Sequence, residues 1–87
     1  MAILSGTVLA ANGLSLAGAR VYFVQTPVPV PDIAQITGTD GKFSLPAPAP
    51  GIYRLGIVAD GYAAEEAEVE ISGDKGVWLT IQLRRQK

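Results

Sequence analysis

The chain has 87 residues and a mass of 9.1 kDa, with 48% apolar and 17% charged residues. That suffices for one domain over residues 1–87 with a packed core, burying about 60–65% of the surface its unfolded form exposes. Seven Lys and Arg against eight Asp and Glu leave a net charge of −1, with no cysteine and no histidine; this excludes a phosphate-neutralising nucleic-acid face, disulfides, thiolate metal sites and the usual acid–base side chains of neutral pH.

Residues 3–9 are apolar and β-branched around Gly6, and Asn12-Gly13 after them is a turn signal. Residues 20–25 are dense in β-formers and stop at Pro27, Pro29 and Pro31, which withdraw backbone donors. Residues 35–39 and 42–45 flank Asp40-Gly41, which suits a two-residue hairpin turn between a third and a fourth strand. The alternating prolines 46, 48 and 50 lead into a fifth strand, 52–59, that ends at Asp60-Gly61. In residues 64–71, Ala67, Val69 and Ile71 alternate with Glu66, Glu68 and Glu70, the period of a strand with one face on the core. After residues 73–76, Val77, Leu79, Ile81 and Leu83 alternate with Trp78, Thr80, Gln82 and Arg84 in a seventh strand. Residues 63–68 are also good helix formers, but a helix scatters Ala67, Val69 and Ile71 around its circumference, so the strand reading prevails. Seven short strands at this spacing predict an all-β, seven-stranded antiparallel sandwich.

The order of these signals resembles a known family. Gly6-Thr7-Val8, Leu16 to Val21, Thr39-Asp40-Gly41-Lys42-Phe43, Gly51-Ile52-Tyr53-Arg54-Leu55 and Gly61-Tyr62 follow one another as in the carboxypeptidase regulatory-like domain, of the transthyretin-like (prealbumin-like) group. The resemblance implies a Greek-key β-sandwich used as a non-catalytic module beside enzyme domains, in surface and secreted proteins and in transport receptors. The same broad group includes hydroxyisourate hydrolases, whose site needs histidines and a C-terminal Tyr-Arg-Gly-Ser signature. This chain has no histidine and closes with Leu83-Arg84-Arg85-Gln86-Lys87.

The residues themselves point away from catalysis, cofactors and metals. Asp40, Asp60 and Asp74 each lie beside or near a glycine, a pairing selected by turn geometry. If every strand reverses the chain, Asp40 and Asp60 fall at one end of the sandwich and Asp74 at the other, which leaves at most a weak two-carboxylate calcium site with no D-x-D-x-D run behind it, and structural turns are the better account. The same count gathers the 26–33 loop, the 46–51 loop and the 72–76 turn at one end. There, Val28, Val30 and Ile33 beside Ala47 and Ala49 form an apolar tip for a partner, or fold back to cap the core. The prolines are two apart rather than three and lack adjacent basic residues, unlike a ligand of SH3 domains.

Trp78 points to the outer face in the register that buries Val77, Leu79, Ile81 and Leu83. Outward Trp is an interface anchor, a sugar-stacking platform or a cover over its own sheet. Tyr22, outward if Val21 and Phe23 are buried, enlarges that patch only if the two strands share a sheet. Glu65, Glu66, Glu68 and Glu70 form an acidic stripe that discourages edge pairing, and Arg84, Arg85 and Lys87 either pair with it or begin a linker. The resulting expectation is a non-catalytic structural or protein-interaction module with Trp78, Tyr22, Val28 and Val30 as partner-binding residues. Its partner is a protein or a second copy, with carbohydrate binding through Trp78 as the alternative; neither nucleic acid nor membrane insertion is expected. Residues 1–6 lack the basic start and apolar core of a secretory signal. The expected setting is therefore cytoplasmic for a complete chain, and extracellular or periplasmic for a piece of a longer exported one.

Overall fold

A computed structural model describes residues 2–31 and 34–86. Among these, the chain forms no helix and seven strands: β1 (Ala2–Leu9), β2 (Arg20–Gln25), β3 (Ala34–Ile36), β4 (Lys42–Ala47), β5 (Gly51–Val58), β6 (Glu65–Ile71) and β7 (Val77–Gln82). They divide into a three-stranded sheet in the order β4-β1-β7 and a four-stranded sheet in the order β3-β2-β5-β6. The all-β sandwich follows the sequence pattern, and the helical alternative for residues 63–68 does not occur.

One pairing departs from an antiparallel sandwich. β1 and β7 run parallel, with Leu4 opposite Val77 and Leu9 opposite Gln82. Six chain reversals separate these two strands, so they point the same way, and joining them in one sheet requires parallel pairing.

The core lies between the sheets, as alternation dictates. Leu4, Val8, Phe43, Leu45 and Ala47 face inward from the first sheet, and Val21, Tyr53, Leu55, Ile57, Val69 and Ile71 from the second. Leu83, just past β7, closes the cluster fully buried. Phe23 tilts against Tyr53, with ring centroids 5.4 Å apart. β2 then bulges: Phe23 opposes Leu55 and Gln25 opposes Arg54, which leaves Val24 as the extra, exposed residue.

Three local expectations are corrected. Asp40-Gly41 does not close a two-residue hairpin, because β3 and β4 belong to different sheets. The segment is a crossing between sheets, built on a turn in which Gly41 N–H donates to Gly38 O at 2.9 Å and Asp40 Oδ1 accepts from Lys42 N–H at 3.1 Å. Gly41 sits at φ 72°, and a β-carbon there would lie 2.6 Å from Val8 O, so glycine is required twice over. The third strand is also shorter than expected: after Ile36 the regular ladder ends, and Thr37, whose N–H still donates to Ala19 O and whose carbonyl accepts from Gly18 N–H, both at 2.9 Å, turns its side chain inward. Its hydroxyl donates to Leu16 O at 2.7 Å and accepts from Ala19 N–H at 3.0 Å, tying the 10–19 connection to β3.

The third correction concerns Pro46, which does not end the fourth strand. β4 continues through it to Ala47, an inward, buried residue rather than part of a loop tip. Proline is tolerated because β4 is an edge strand. Val8 N–H donates to Gly41 O while Leu9 O accepts from Leu83 N–H, so even-numbered β1 residues face β4 and odd-numbered ones face β7. Pro46 opposes the odd-numbered Ile3, and its nitrogen therefore faces the open edge, where no ladder bond is lost.

Candidate functional site

The outer face of the β4-β1-β7 sheet is the surface on which an exposed tryptophan stands. Register places Ser44, Ser5 and Trp78 in one row across the sheet, Pro46 and Ile3 in the next, and Lys42, Thr7 and Thr80 in the row on the other side. Trp78 is 56% exposed and Ile3, diagonal to it, 43%. Between them the sheet carries only Ser5 and, just before β7, Gly76. The face is thus a shallow apolar step, one indole and one isoleucine rising over small residues, with Lys42 as its charged group among the described residues. The recesses beside Trp78 are about 290 and 300 Å³, at the lower limit for enclosing a small molecule. This surface suits contact with another macromolecule better than capture of a metabolite.

Trp78 is where the alternation of β7 puts it. Tyr22 is also outward, but on the other sheet, half-buried opposite Gly56. A β-carbon on Gly56 would lie 2.5 Å from Tyr22 Cζ, so the phenol ring lies flat over the bare glycine backbone. The two aromatics occupy opposite sides of the molecule and form no common patch. The remaining aromatics are placed elsewhere, Phe43 and Tyr53 in the core, Phe23 and Tyr62 packed against it. Trp78 therefore has no coplanar aromatic neighbour of the kind a stacked sugar requires.

Val28 and Val30 are both half-buried, and Ile33 lies outside the described residues. The two proline-bearing connections do meet, since the Pro27 ring stands against Gly51. Val30 lines a recess with Phe23, Val24, Gln25, Thr26, Pro29 and Pro31. Thr26 Oγ1 donates to Val28 O at 2.6 Å, which folds the start of the loop back on itself.

The charged groups have partners of a different kind from those expected. Arg54, on β5, reaches the acidic stripe of β6, at 3.1 Å from Glu68 and 3.7 Å from Glu66. Arg84 and Arg85 instead belong to a terminal segment held by its backbone: Ala63 N–H donates to Arg84 O at 2.8 Å and Gln86 N–H to Gly61 O at 3.0 Å. Lys87 lies outside the described residues. Asp40 and Asp60 lie in connections at one end and Asp74 in a connection at the other. No cluster of three or more acidic, His or Cys side chains suited to a metal ion occurs among the described residues.

Reasoning from sequence did not single out Ile3, Pro46 or the serines around Trp78. Ile3 and Leu4 are equally apolar, and only the pairing of β1 with both β4 and β7 shows which of them faces out.

The family model of the carboxypeptidase regulatory-like domain matches residues 3–84. No curated protein matches the chain. Among solved structures, a chain of a type II cohesin–X-dockerin complex from Acetivibrio cellulolyticus is similar, with 23% identity, a TM-score of 0.72 and coverage of 98% of this chain and 58% of that one. The major pilin subunit BcpA of Bacillus cereus is similar over 98% of this chain and 30% of its own, at 18% identity and a TM-score of 0.76. Catechol 1,2-dioxygenase from Acinetobacter is similar over 95% of this chain and 52% of its own, at 13% identity and a TM-score of 0.71. At such identities the likeness is one of fold, and a sandwich shared by a chain of a cohesin–X-dockerin complex, a pilin and a dioxygenase does not by itself carry a function. The chain spans less than two thirds of each of these neighbours.

Proposed function

The chain belongs to the carboxypeptidase regulatory-like domain family, and from that premise we propose that it is a single, non-catalytic sandwich module that works by binding protein. The outer face of β4-β1-β7 is its contact surface, with Trp78 as the anchor and Ile3 and Pro46 beside it. The observation that carries this reading is the 56% exposure of Trp78 on a face of small residues. A large, rigid side chain left in water gains most when a partner covers it, which is why tryptophan dominates contact energies. The likeness to proteins whose names speak of a cohesin–dockerin complex and a pilin supports a role in assembly. The absence of histidine and cysteine from the sequence supports a role without chemistry.

Photo-cross-linking in the source organism tests the proposal. A photoreactive residue at Ser44 or Thr7, on the Trp78 face, is expected to give discrete protein adducts that Trp78→Ala diminishes. The same residue at Glu68 or Glu70, on the opposite sheet, is expected to give none. Equal adducts from both faces, or none from the Trp78 face, overturn the assignment.

A further inference from the structure

The sandwich has four edge strands, and three carry a device against pairing with another chain. β3 has only three residues. β4 holds Pro46 with its nitrogen toward the open side, and it packs beside β3. β6 presents Glu66, Glu68 and Glu70 on its exposed face. β7, Val77-Trp78-Leu79-Thr80-Ile81-Gln82, has six residues without a charge, a proline or a glycine.

The direction of the free backbone groups on β7 is set by two contacts. Leu83 N–H donates to Leu9 O, and Leu79 O lies 2.5 Å from the point a β-carbon on Gly6 would occupy, so odd-numbered residues turn toward β1. Successive peptide groups alternate sides, and those of Trp78, Thr80 and Gln82 turn away. Further along the same row, Arg84 O is met by Ala63 N–H. The fold thus covers this row beyond residue 82, and among the described residues none meets its middle. Val77, Leu79 and Ile81, the inward side chains of β7, remain half-exposed along this flank.

We infer that β7 is a pairing edge whose occupant is the β7 strand of a second copy, joined antiparallel about a two-fold axis through Thr80. The inference rests on the proposed role in protein contact and names the partner. The occupant of a bare edge is an extended strand, because only a strand matches its row of donors and acceptors. β7 is complementary to itself. Setting Thr80 opposite the second copy's Thr80 places Trp78 opposite the second copy's Gln82, so all three edge-facing residues pair while only strand residues are used. Charge selects the same edge: a β6 pair would oppose glutamates to glutamates, whereas a β7 pair brings no charges together. The joined sheets cover Val77, Leu79 and Ile81 and shield one side of each indole.

Light scattering across a concentration series tests the inference, with Thr80→Lys and Thr80→Glu alone and as an equimolar mixture. The wild type is expected to pass from 9.1 kDa to about twice that mass, with tryptophan emission shifting to the blue. Each charged variant is expected to stay monomeric, since like charges then meet across the axis, and the mixture is expected to recover the dimer. Thr80 is exposed on the outer face, and a cooperative thermal melt followed by far-ultraviolet circular dichroism shows that each variant folds. A wild type that remains at 9.1 kDa at millimolar concentration overturns the inference, as does a dimer that both variants retain. Either result leaves the cross-linking test intact, because adducts to other proteins from the Trp78 face then still mark it as a contact surface.

Discussion

Tyr53 and Ala49 hold each other at two points: the phenol hydroxyl donates to Ala49 O at 2.6 Å, and Ala49 N–H donates back to the phenol oxygen at 3.2 Å. Tyr53 is fully buried, so these bonds fasten the 48–50 connection onto the core from beneath. Tyr53→Phe keeps the ring and its packing on Phe23 but takes away the partner of both Ala49 N–H and Ala49 O. It is expected to lower stability by about 1–2 kcal/mol in a urea titration, with an unchanged denaturant slope.

Thr37 plays the same part at the other end of the molecule. Replacing it with Val preserves the shape but strands Ala19 N–H and Leu16 O, with an expected loss of about 2–3 kcal/mol. Thr37→Ser retains the hydroxyl and is expected to lose less than half of that. Equal losses for the two variants would show that the methyl group, not the hydrogen bonds, matters.

Gly6 and Gly56 are both roofed by an aromatic ring, yet they differ in what else lies near. A β-carbon at Gly6 would lie 2.5 Å from Leu79 O as well as from Phe43 Cζ, whereas at Gly56 the three atoms nearest to it would all belong to the Tyr22 side chain. Backbone in a central ladder cannot withdraw, while a half-exposed phenol can. Gly6→Ala is therefore expected to cost about 3 kcal/mol or to prevent folding, and Gly56→Ala distinctly less. In a Tyr22→Ser background the Gly56→Ala penalty is expected to shrink further, and thermal melts of the four combinations measure that coupling.

Arg54 bridges Glu66 and Glu68 on the surface, with roughly half of each side chain in water. Its removal in Arg54→Ala is expected to lower stability by less than about 1 kcal/mol, a difference that fades in high salt. A larger, salt-independent loss would point to packing by the arginine stem instead.

Trp78→Ala separates a contact role from a folding role. On an outer face it is expected to cost only about 1 kcal/mol, against about 3–5 kcal/mol for removing a core aromatic. Measured below the concentration at which copies pair, the wild-type indole is expected to be readily quenched by acrylamide. A quench-resistant indole in the monomer would mean that its own chain covers it.

Much of the fold was legible in residue order, because the relevant forces are local. The alternation of Ala67, Val69 and Ile71 with three glutamates places β6 with its inner face set, and the alternation from Val77 to Leu83 turns Trp78 outward before any partner strand is known. Turn chemistry at Asn12-Gly13, Asp40-Gly41 and Asp60-Gly61 marks where strands stop, since positive φ is a property of one residue.

The choice of partner strand beyond a turn is not local, and there only the tertiary structure decides. Asp40-Gly41 has the composition of a hairpin, yet it passes the chain between sheets, because which strands pair depends on burying both faces of the core at once. Pro46 ends a strand by backbone chemistry alone, but an edge with no bond to lose lets the strand run on. Tyr22 and Trp78 have the same outward parity, and the division of seven strands into two sheets puts them on opposite sides. The step made by Trp78 and Ile3, and the open row of Trp78, Thr80 and Gln82, arise from β1 and β7 lying parallel, side by side, though nearly the whole chain separates them.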